Sequence, residues 1–156
     1  MQSSSLTSVT PRSSFYFITI LLILIFMVYG QTLFSSFHFD DRSSILKNRA
    51  FLSSRPLAAL WEDWPTRFIT NVSFYLNYRL GRFNPFGYHL VNLLIHAANS
   101  VLLYRLLTVS ISGTAKKGAR FFSLPAGAGA VLFALHPVQT QAVSYIAQRA
   151  TLLATF

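Results

Sequence analysis

The chain has 156 residues, 53% of them hydrophobic and only 11% charged. Soluble domains carry about 25% charged residues, so this composition argues against an ordinary water-soluble fold. Thirteen Lys and Arg against four Asp and Glu give a net charge of +9. The basic residues lie at the edges of apolar runs, where they would face lipid headgroups, so we expect membrane lipids and no nucleic acid as partners. The absence of cysteine excludes disulfides and cysteine metal sites.

The first apolar run covers residues 15–34, twenty positions without a charge. A helix of that length spans about 30 Å, the thickness of the hydrocarbon core of a bilayer. We predict transmembrane helix 1 here, after a cytoplasmic N-terminus over residues 1–14. A secretory signal peptide is the alternative, with Val28 and Gly30 at the −3 and −1 positions of a cleavage site, although the apolar region of such a peptide usually has only about 7 to 15 residues.

Residues 35–85 are polar and aromatic, and we predict that they form one external loop. This loop holds all the acidic residues of the chain, which are Asp40, Asp41, Glu62 and Asp63. In residues 66–80 four apolar side chains recur at helical spacing, a pattern that predicts an amphipathic helix at the membrane interface. These four are Phe68, Val72, Tyr75 and Leu76.

The second predicted span, residues 86–109, carries a stripe of polar side chains. Its members, spaced 3, 4 and 3 residues apart on one helix face, are His89, Asn92, His96 and Asn99. Polar groups are costly in hydrocarbon, so this polar bundle face should point into a helix bundle or a wet cavity. Two interpretations stay open: hydrogen bonding between helices alone, or direct contact with a substrate or lipid phosphate.

For residues 110–156 we predict a loop followed by further helices. Residues 110–120 form a basic loop, which favours the cytoplasm. The third predicted span, 121–135, has a ridge of small residues, Ala126, Ala130 and Ala134, that allows close helix packing. Residues 136–149 should form an external or interfacial helix. Residues 150–156 should begin a fourth, truncated span, since seven residues cannot cross a bilayer.

Together these assignments predict an all-α fold. We expect a polytopic transmembrane helix bundle with about three full spans and the start of a fourth, and a partly helical external first loop. The chain therefore has the pattern of an N-terminal fragment of a larger membrane protein.

Three sequence blocks carry a family resemblance. They are FDDRSSILKN at 39–48, TRFITNVSFYLNYRLGRFNPFGYHLVNLLIHAANSVLLY at 66–104 and GAVLFALHPVQTQAVSYIAQRATLLATF at 129–156. These blocks resemble the N-terminal region of bacterial membrane proteins with tetratricopeptide repeats. Those proteins are similar in turn to the transmembrane and tetratricopeptide-repeat O-mannosyltransferases of the GT-C glycosyltransferase class. No repeat period occurs within this chain.

The resemblance implies a chemistry for the external loop. GT-C enzymes transfer a sugar from a polyprenyl-phosphate carrier to an acceptor outside the membrane, which requires a base and cations that offset the leaving phosphate. Asp40 and Asp41 match the acidic pair of the family and would be catalytic, as base or as ligands of a metal. Adjacent carboxylates point in different directions, so we expect one to act and the other to hold structure. A loop or helix-cap pair is the alternative.

Three further side chains are candidates for binding the donor phosphate. Arg67 and Arg149 are planar cations that can grip a phosphate with two hydrogen bonds, or alternatively extend to lipid headgroups. His136 could bind the carrier phosphate or cap the helix after Pro137. Gln141 stands where the animal enzymes have an acidic residue, so it could orient an acceptor but not take its proton.

The expected function is that of an N-terminal fragment of a glycosyltransferase with a lipid-linked sugar donor, inactive alone. The alternative is a non-enzymatic membrane module that binds lipid or partner helices. Expected partners are membrane lipids, the lipid-linked donor, and a protein acceptor or partner helices. The expected location is integral to the membrane, in the bacterial inner membrane. The cofactor is unknown, with a divalent metal as one candidate.

Overall fold

The computed structural model describes residues 11–38, 40–114 and 123–155, and every regular element in these ranges is helical. The α-helices are α1 Pro11–Tyr29, α2 Pro56–Asp63, α3 Phe68–Gly81, α4 Pro85–Thr114, α5 Ser123–Leu135, α6 Gln139–Ser144 and α7 Arg149–Thr155. Short 3₁₀ segments cover Gly30–Phe34, Arg49–Leu52, Pro65–Arg67 and Ile146–Gln148, and Arg42–Leu46 form a π-helical turn. This confirms the all-α prediction. The predicted cytoplasmic residues 1–10 and 115–120 lie outside the described residues.

Helices α1, α4 and α5 pack as a three-helix bundle. Phe17 of α1 packs on Tyr104 of α4 with ring centroids 4.5 Å apart, and Tyr29 packs edge-on against His96 at 5.4 Å. The start of α1 therefore meets the end of α4, which makes the two helices antiparallel. Helix α5 runs parallel to α1, because Gly127 lies against Phe17 and the Tyr29 hydroxyl donates to the His136 carbonyl oxygen at 3.2 Å.

Two helices of the described residues are long and apolar enough to cross a membrane. They cover Ser13–Phe34 and Pro85–Ile111, in agreement with the first two predicted spans. Proline fits the first turn of α1 and of α4, where its missing N–H costs no hydrogen bond. Helix α5 has 13 residues and so a length of about 20 Å. A third full span, and with it the polytopic bundle, stays a prediction.

Small residues on α5 let it pack closely against α1 and α4. Ala126, Ala130 and Ala134 are fully buried against α1 and α4, which confirms the predicted ridge. A Cβ atom added at Gly129 would lie 2.9 Å from a Leu107 methyl group of α4. We call the buried cluster between these helices the bundle core, and its members are Leu21, Ile25, Tyr29, Leu93, Ala97, Tyr104, Ala126, Ala130, Ala134 and Val143.

The first loop folds on a second cluster, which we call the aromatic core. Its members are Ile45, Ala50, Phe51, Leu60, Phe74, Tyr78, Tyr88 and Ile146. Phe51 stacks on Tyr78 with ring centroids 5.6 Å apart, and Tyr78 belongs to α3. The loop is thus packed against the start of α4 and the segment before α7.

Helix α3 departs from the predicted amphipathic pattern. Phe68, Val72 and Tyr75, which were expected to face lipid, pack against the aromatic core instead, and only Leu76 of the four predicted positions is exposed. The reason is that the loop has a core of its own, which the periodicity of α3 alone does not indicate.

The turn between α3 and α4 has an unusual backbone. Arg82 has φ 54°, a conformation that is costly for a residue with a Cβ atom. Three hydrogen bonds hold it: its N–H donates to the Tyr78 carbonyl at 2.9 Å, its Nη1 donates to the Tyr78 hydroxyl at 2.9 Å, and its carbonyl accepts from the Tyr88 hydroxyl at 3.0 Å. The turn therefore places α3 in a fixed position beside α4.

Candidate functional site

The two adjacent carboxylates lie in different surroundings. Asp41 is 1% exposed, and its oxygens accept the N–H of His38 at 3.1 Å and the N–H of Ala147 at 2.7 Å. Asp41 therefore ties the first loop to the segment that follows α6. Asp40 is exposed, and its carbonyl oxygen accepts from the Ser43 hydroxyl at 2.9 Å. The carboxylate that is free to meet a substrate is Asp40, while that of Asp41 is held by main-chain hydrogen bonds.

A cleft of about 360 Å³ lies beside the hydrogen bond between Asp41 and Ala147, and Ala147 is part of its lining. Its charged lining consists of Lys47, Arg49 and Arg67 together with a single carboxylate, Asp63. The rest of the lining is polar or aromatic apart from one alanine, and it consists of Ser43, Ser44, Asn48, Trp64, Thr70, Asn71, Phe74 and Ala147. Three cations against one carboxylate give a local excess of positive charge, which attracts anions. We call this feature the basic cleft.

Of the predicted phosphate ligands, Arg67 alone lines the basic cleft. The other cations of the cleft, Lys47 and Arg49, were not predicted from the sequence. Both belong to the polar stretch of the loop, where a basic residue is usually a solvated surface group, and only packing of the loop against α3 brings them beside Arg67. Asp63, previously a residue without an assigned role, is also part of this lining.

Arg149 is fully buried, at 0% exposure. Its guanidinium donates to four neutral acceptors: Asn92 Oδ1 at 2.8 Å, Ser73 Oγ at 3.0 Å, Asn77 Oδ1 at 2.8 Å and the Tyr88 carbonyl at 2.9 Å. Burial lowers the pKa of this guanidinium to about 9, still above neutral pH, so the side chain is a cation there.

The contacts of Arg149 connect three helices. Its hydrogen bonds reach α3 and α4 from the first residue of α7, and its guanidinium carbon lies 4.6 Å from the centre of the Phe74 ring. A phosphate could reach this cation only by displacing protein acceptors. The geometry fits a structural tie, and a role of Arg149 in donor binding stays a prediction.

The polar stripe of α4 is buried, with His89, Asn92 and His96 at 0% exposure and Asn99 at 4%. Asn92 donates to the Tyr145 carbonyl at 3.0 Å, and Asn99 donates to the Leu152 carbonyl at 2.9 Å. His96 Nε2 lies 2.9 Å from the Ala134 carbonyl, near the end of α5 where carbonyl groups lose their helical partners. These contacts favour the first interpretation, hydrogen bonding between helices.

The two remaining predicted site residues lie on the surface at or near the turn that leads into α6. His136 is exposed, and its Nδ1 accepts the N–H of Val138 at 3.2 Å, a contact of the capping kind. Gln141 is exposed on α6. Neither side chain is part of the basic cleft lining. Their proposed contacts with carrier and acceptor stay predictions.

The described part of the chain shows no cluster of metal-ligating side chains. Among residues 11–38, 40–114 and 123–155, no group of three His, Asp or Glu side chains comes together as metal ligands. With Asp41 engaged by two N–H groups, only the neighbouring Asp40 carboxylate of the pair is open to an ion.

Comparison with known proteins places these features in a family context. The chain is 36% identical to protein O-mannosyl-transferase TMTC4 of Homo sapiens over 135 residues, which cover 75% of this chain and 18% of that protein. It is 33% identical to human protein O-mannosyl-transferase TMTC3 over 151 residues, covering 88% of this chain and 15% of that protein. The chain is similar to protein O-mannosyl-transferases.

A relative from an insect gives the same result. Protein O-mannosyl-transferase Tmtc1 of Drosophila melanogaster is 35% identical over 142 residues, which cover 83% of this chain and 16% of that protein. The chain thus spans less than a fifth of the length of these relatives. No family model and no solved structure matches it. The similarity to these relatives confirms the resemblance to the O-mannosyltransferases, and together with the two candidate spans it favours a membrane location, while a bacterial origin and the bacterial inner membrane stay predictions.

Proposed function

We propose that this chain forms the N-terminal part of a membrane glycosyltransferase that transfers mannose from a lipid-linked donor at the external face of the membrane. Its similarity to protein O-mannosyl-transferases over 75% to 88% of its length supports the reaction class. The donor of this proposal is a polyprenyl-phosphate sugar, whose leaving group is a phosphate anion.

The basic cleft is the observation that carries the proposal. Lys47 and Arg49 lie two residues apart and line the same cleft as Arg67, beside a segment that Asp41 fixes through Ala147. In the proposed reaction the acceptor hydroxyl oxygen forms a bond to the anomeric carbon while the bond from that carbon to the phosphate oxygen breaks. The electron pair leaves with the phosphate, and the cations of the cleft offset its negative charge.

The acceptor proton requires a base in the same step. The Asp40 carboxylate is exposed and lies three residues before Ser43, which lines the cleft. In this proposal Asp40 takes the proton of the acceptor hydroxyl, and Asp41 positions the loop without contacting the substrate. A general base contributes about 10² to 10⁴ in rate.

A photocrosslinking experiment tests the donor site. The protein, reconstituted in lipid vesicles, is mixed with a photoreactive polyprenyl-phosphate mannose, and the crosslinked fraction is titrated against donor concentration. Hydrogen bonds to a charged partner contribute about 1.5 to 3 kcal/mol, so Lys47→Gln, Arg49→Gln or Arg67→Gln should each weaken binding by at least about tenfold. The matched control is Arg55→Gln, an exposed cation of the same loop outside the cleft. Equal weakening by Arg55→Gln and by the cleft variants would reject the assignment.

A transfer assay with the protein completed by its downstream region tests the base. Asp40→Asn should lower mannose transfer from polyprenyl-phosphate mannose by about 10² to 10⁴ while leaving donor crosslinking unchanged. Glu62→Gln is the control, since Glu62 is exposed and outside the cleft lining, whereas Asp63 lines the cleft and is not a neutral control. Normal transfer by Asp40→Asn would reject this role.

One observation supports the alternative function, a non-enzymatic membrane module: α1 has an apolar groove on its surface. Apolar side chains of Leu22, Ile23, Phe26 and Met27 line it together with Thr19, and such a surface suits lipid or a partner helix. A module of this kind would insert in membranes and bind other helices without crosslinking to the sugar donor. Donor crosslinking that saturates and is competed by unlabelled donor would exclude it.

A further inference from the structure

Helix α3 has the reverse of the polarity that a water-exposed helix shows. The side that faces the protein contains the buried polar residues Thr70 and Asn71, at 7% exposure each, and Asn77 at 9%. The side that faces away contains aliphatic residues. A surface helix in water normally turns its apolar stripe inward and its polar residues outward, so this arrangement favours an apolar environment outside the protein.

The inward side of α3 is held by specific contacts. Asn77 donates to the Gly87 carbonyl of α4 at 3.2 Å, and its Oδ1 accepts from Arg149. Phe74 and Tyr78 are buried in the aromatic core on the same side. Because hydrogen bonds and rings fix this side, the helix cannot rotate to bury its aliphatic side without breaking them.

The outward side of α3 is a narrow aliphatic stripe. Ile69, Leu76 and Leu80 are 72%, 56% and 89% exposed. Their spacing of 7 and 4 residues places them within about 40° of one another around the helix axis at 3.6 residues per turn. Leu76 and Leu80 are one helical turn apart and Ile69 lies two turns before Leu76, so the three large aliphatic side chains line one side of the helix.

The surroundings of this stripe indicate what covers it. Arg79 is exposed at its edge and donates to the Tyr75 hydroxyl at 3.1 Å, an Arg and Tyr pair suited to the level of lipid headgroups. Helix α3 contains no acidic residue. The Arg79 cation complements anionic headgroups, and the turn at Arg82 connects α3 directly to the candidate span Pro85–Ile111.

We infer that the stripe of Ile69, Leu76 and Leu80 inserts into the headgroup and upper acyl region of an anionic bilayer, with α3 lying on the membrane rather than crossing it. Fourteen residues of helix measure about 21 Å, less than the hydrocarbon thickness of about 30 Å. The inference does not depend on sugar transfer, since it requires only the polarity of α3 and its connection to α4. It places the polar side of α3, which lines the basic cleft through Thr70 and Asn71, toward the protein.

The test uses the full chain, which contains no cysteine. Single substitutions Ile69→Cys and Leu80→Cys are labelled with an environment-sensitive NBD dye in vesicles of phosphatidylcholine and phosphatidylglycerol. Lipids with a nitroxide near the headgroup report bilayer contact, and dithionite added outside the vesicles reports contact with water. The control for water is Glu62→Cys on α2, and the control for lipid is Leu102→Cys, a half-exposed position of the second candidate span.

We expect the dye at Ile69 and Leu80 to be quenched by the headgroup nitroxide and to react with dithionite severalfold more slowly than the dye at Glu62. Reaction with dithionite as fast as at Glu62 would place the stripe in water and overturn the inference. Protection from both lipid nitroxide and dithionite would mean that protein covers it, which also overturns the inference. Because both substituted side chains are exposed, a fold defect is not expected, and an unchanged far-ultraviolet circular dichroism spectrum checks this.

Discussion

The bundle core and the aromatic core are built by different means. In the bundle core, small residues on α5 allow helices to approach closely, and contacts such as Gly129 against Leu107 depend on shape. The aromatic core is adjacent to polar side chains, among them the buried cation Arg149 and the buried carboxylate Asp41. Each of these polar groups binds several partners at defined distances. We therefore expect the bundle to be more sensitive to added volume and the loop side to be more sensitive to lost hydrogen bonds.

Removal of the buried cation should give the largest effect on the loop side. Arg149→Met keeps similar length and removes the donors, which leaves the side-chain oxygens of Asn92 and Asn77 without this partner. Each unpaired buried polar group costs about 1 to 3 kcal/mol, so we expect the free energy of unfolding to fall by at least about 2 kcal/mol. Thermal unfolding in detergent, followed by near-ultraviolet circular dichroism of the aromatic residues, measures it.

Arg55→Met is the matched control for this prediction, since Arg55 is exposed and its replacement should change stability by no more than about 0.5 kcal/mol. Arg149→Lys separates charge from geometry, because Lys keeps the positive charge but lacks the planar donors. Should Arg149→Met and Arg55→Met unfold at the same temperature, the network would contribute nothing to stability and the contrast between the two cores would fail.

Added volume should be the stronger perturbation in the bundle. Ala130→Leu introduces three carbon atoms at a fully buried position of the ridge. Overpacking of a dense core costs about 1 to 3 kcal/mol, and α5 can relieve it only by moving away from α1 and α4. The measurement is thermal unfolding in the same detergent. Leu132→Ala, at a position 68% exposed on the same helix, is the control and should have little effect there.

The sequence predicted the bundle better than the loop side, for a physical reason. The apolar runs, the leading prolines and the alanine spacing are local signals, and the structure agrees with them at Ser13–Phe34, at Pro85–Ile111 and along the ridge of α5. The packing of the loop depends on contacts between residues far apart in the chain. Three of the four residues predicted on the outward side of α3 pack inward, and only Leu76 is exposed, because the spacing of apolar residues does not indicate which side of a helix another core will cover.

In the candidate site, too, local sequence signals indicated some residues, whereas contacts between residues far apart in the chain could not be predicted. Asp41 was selected by resemblance, but its contact with the Ala147 N–H joins residues 106 positions apart and could not be derived from spacing. Arg149 stands at the edge of an apolar run, a pattern typical of a lipid-facing cation. The sequence did contain a signal for a buried partner of a cation: Ser73 and Asn77 lie four residues apart on one side of α3. The side-chain oxygens of both accept hydrogen bonds from Arg149. Lys47 and Arg49 had no such signal.

Neutralisation of the buried carboxylate should have a smaller effect than loss of Arg149. Asp41→Asn keeps one oxygen, which can accept the shorter bond from Ala147 N–H at 2.7 Å, and turns an NH₂ group toward the N–H of His38. Loss of one charge-assisted hydrogen bond predicts about 1 to 2 kcal/mol of destabilisation. Hydrogen exchange of the Ala147 amide, measured by mass spectrometry of the peptide that contains it, should become faster. Unchanged exchange would show that the tie does not hold this segment.

The smallest effect on stability is expected for Asp40→Asn, next to Asp41 in the sequence. Asp40 is exposed, and the hydrogen bond that it forms with Ser43 uses its main-chain carbonyl rather than its carboxylate. Asp40→Asn leaves that bond intact, so the change in unfolding free energy should stay within about 0.5 kcal/mol. The same unfolding and exchange measurements on Asp40→Asn, Asp41→Asn and Glu62→Gln compare the three carboxylates directly. Destabilisation by Asp40→Asn equal to that by Asp41→Asn would give both carboxylates a structural role and remove the reason for choosing Asp40 as the base. Stability equal to that of Glu62→Gln leaves the Asp40 carboxylate with no structural task, so any loss of sugar transfer in that variant would report on chemistry rather than on folding.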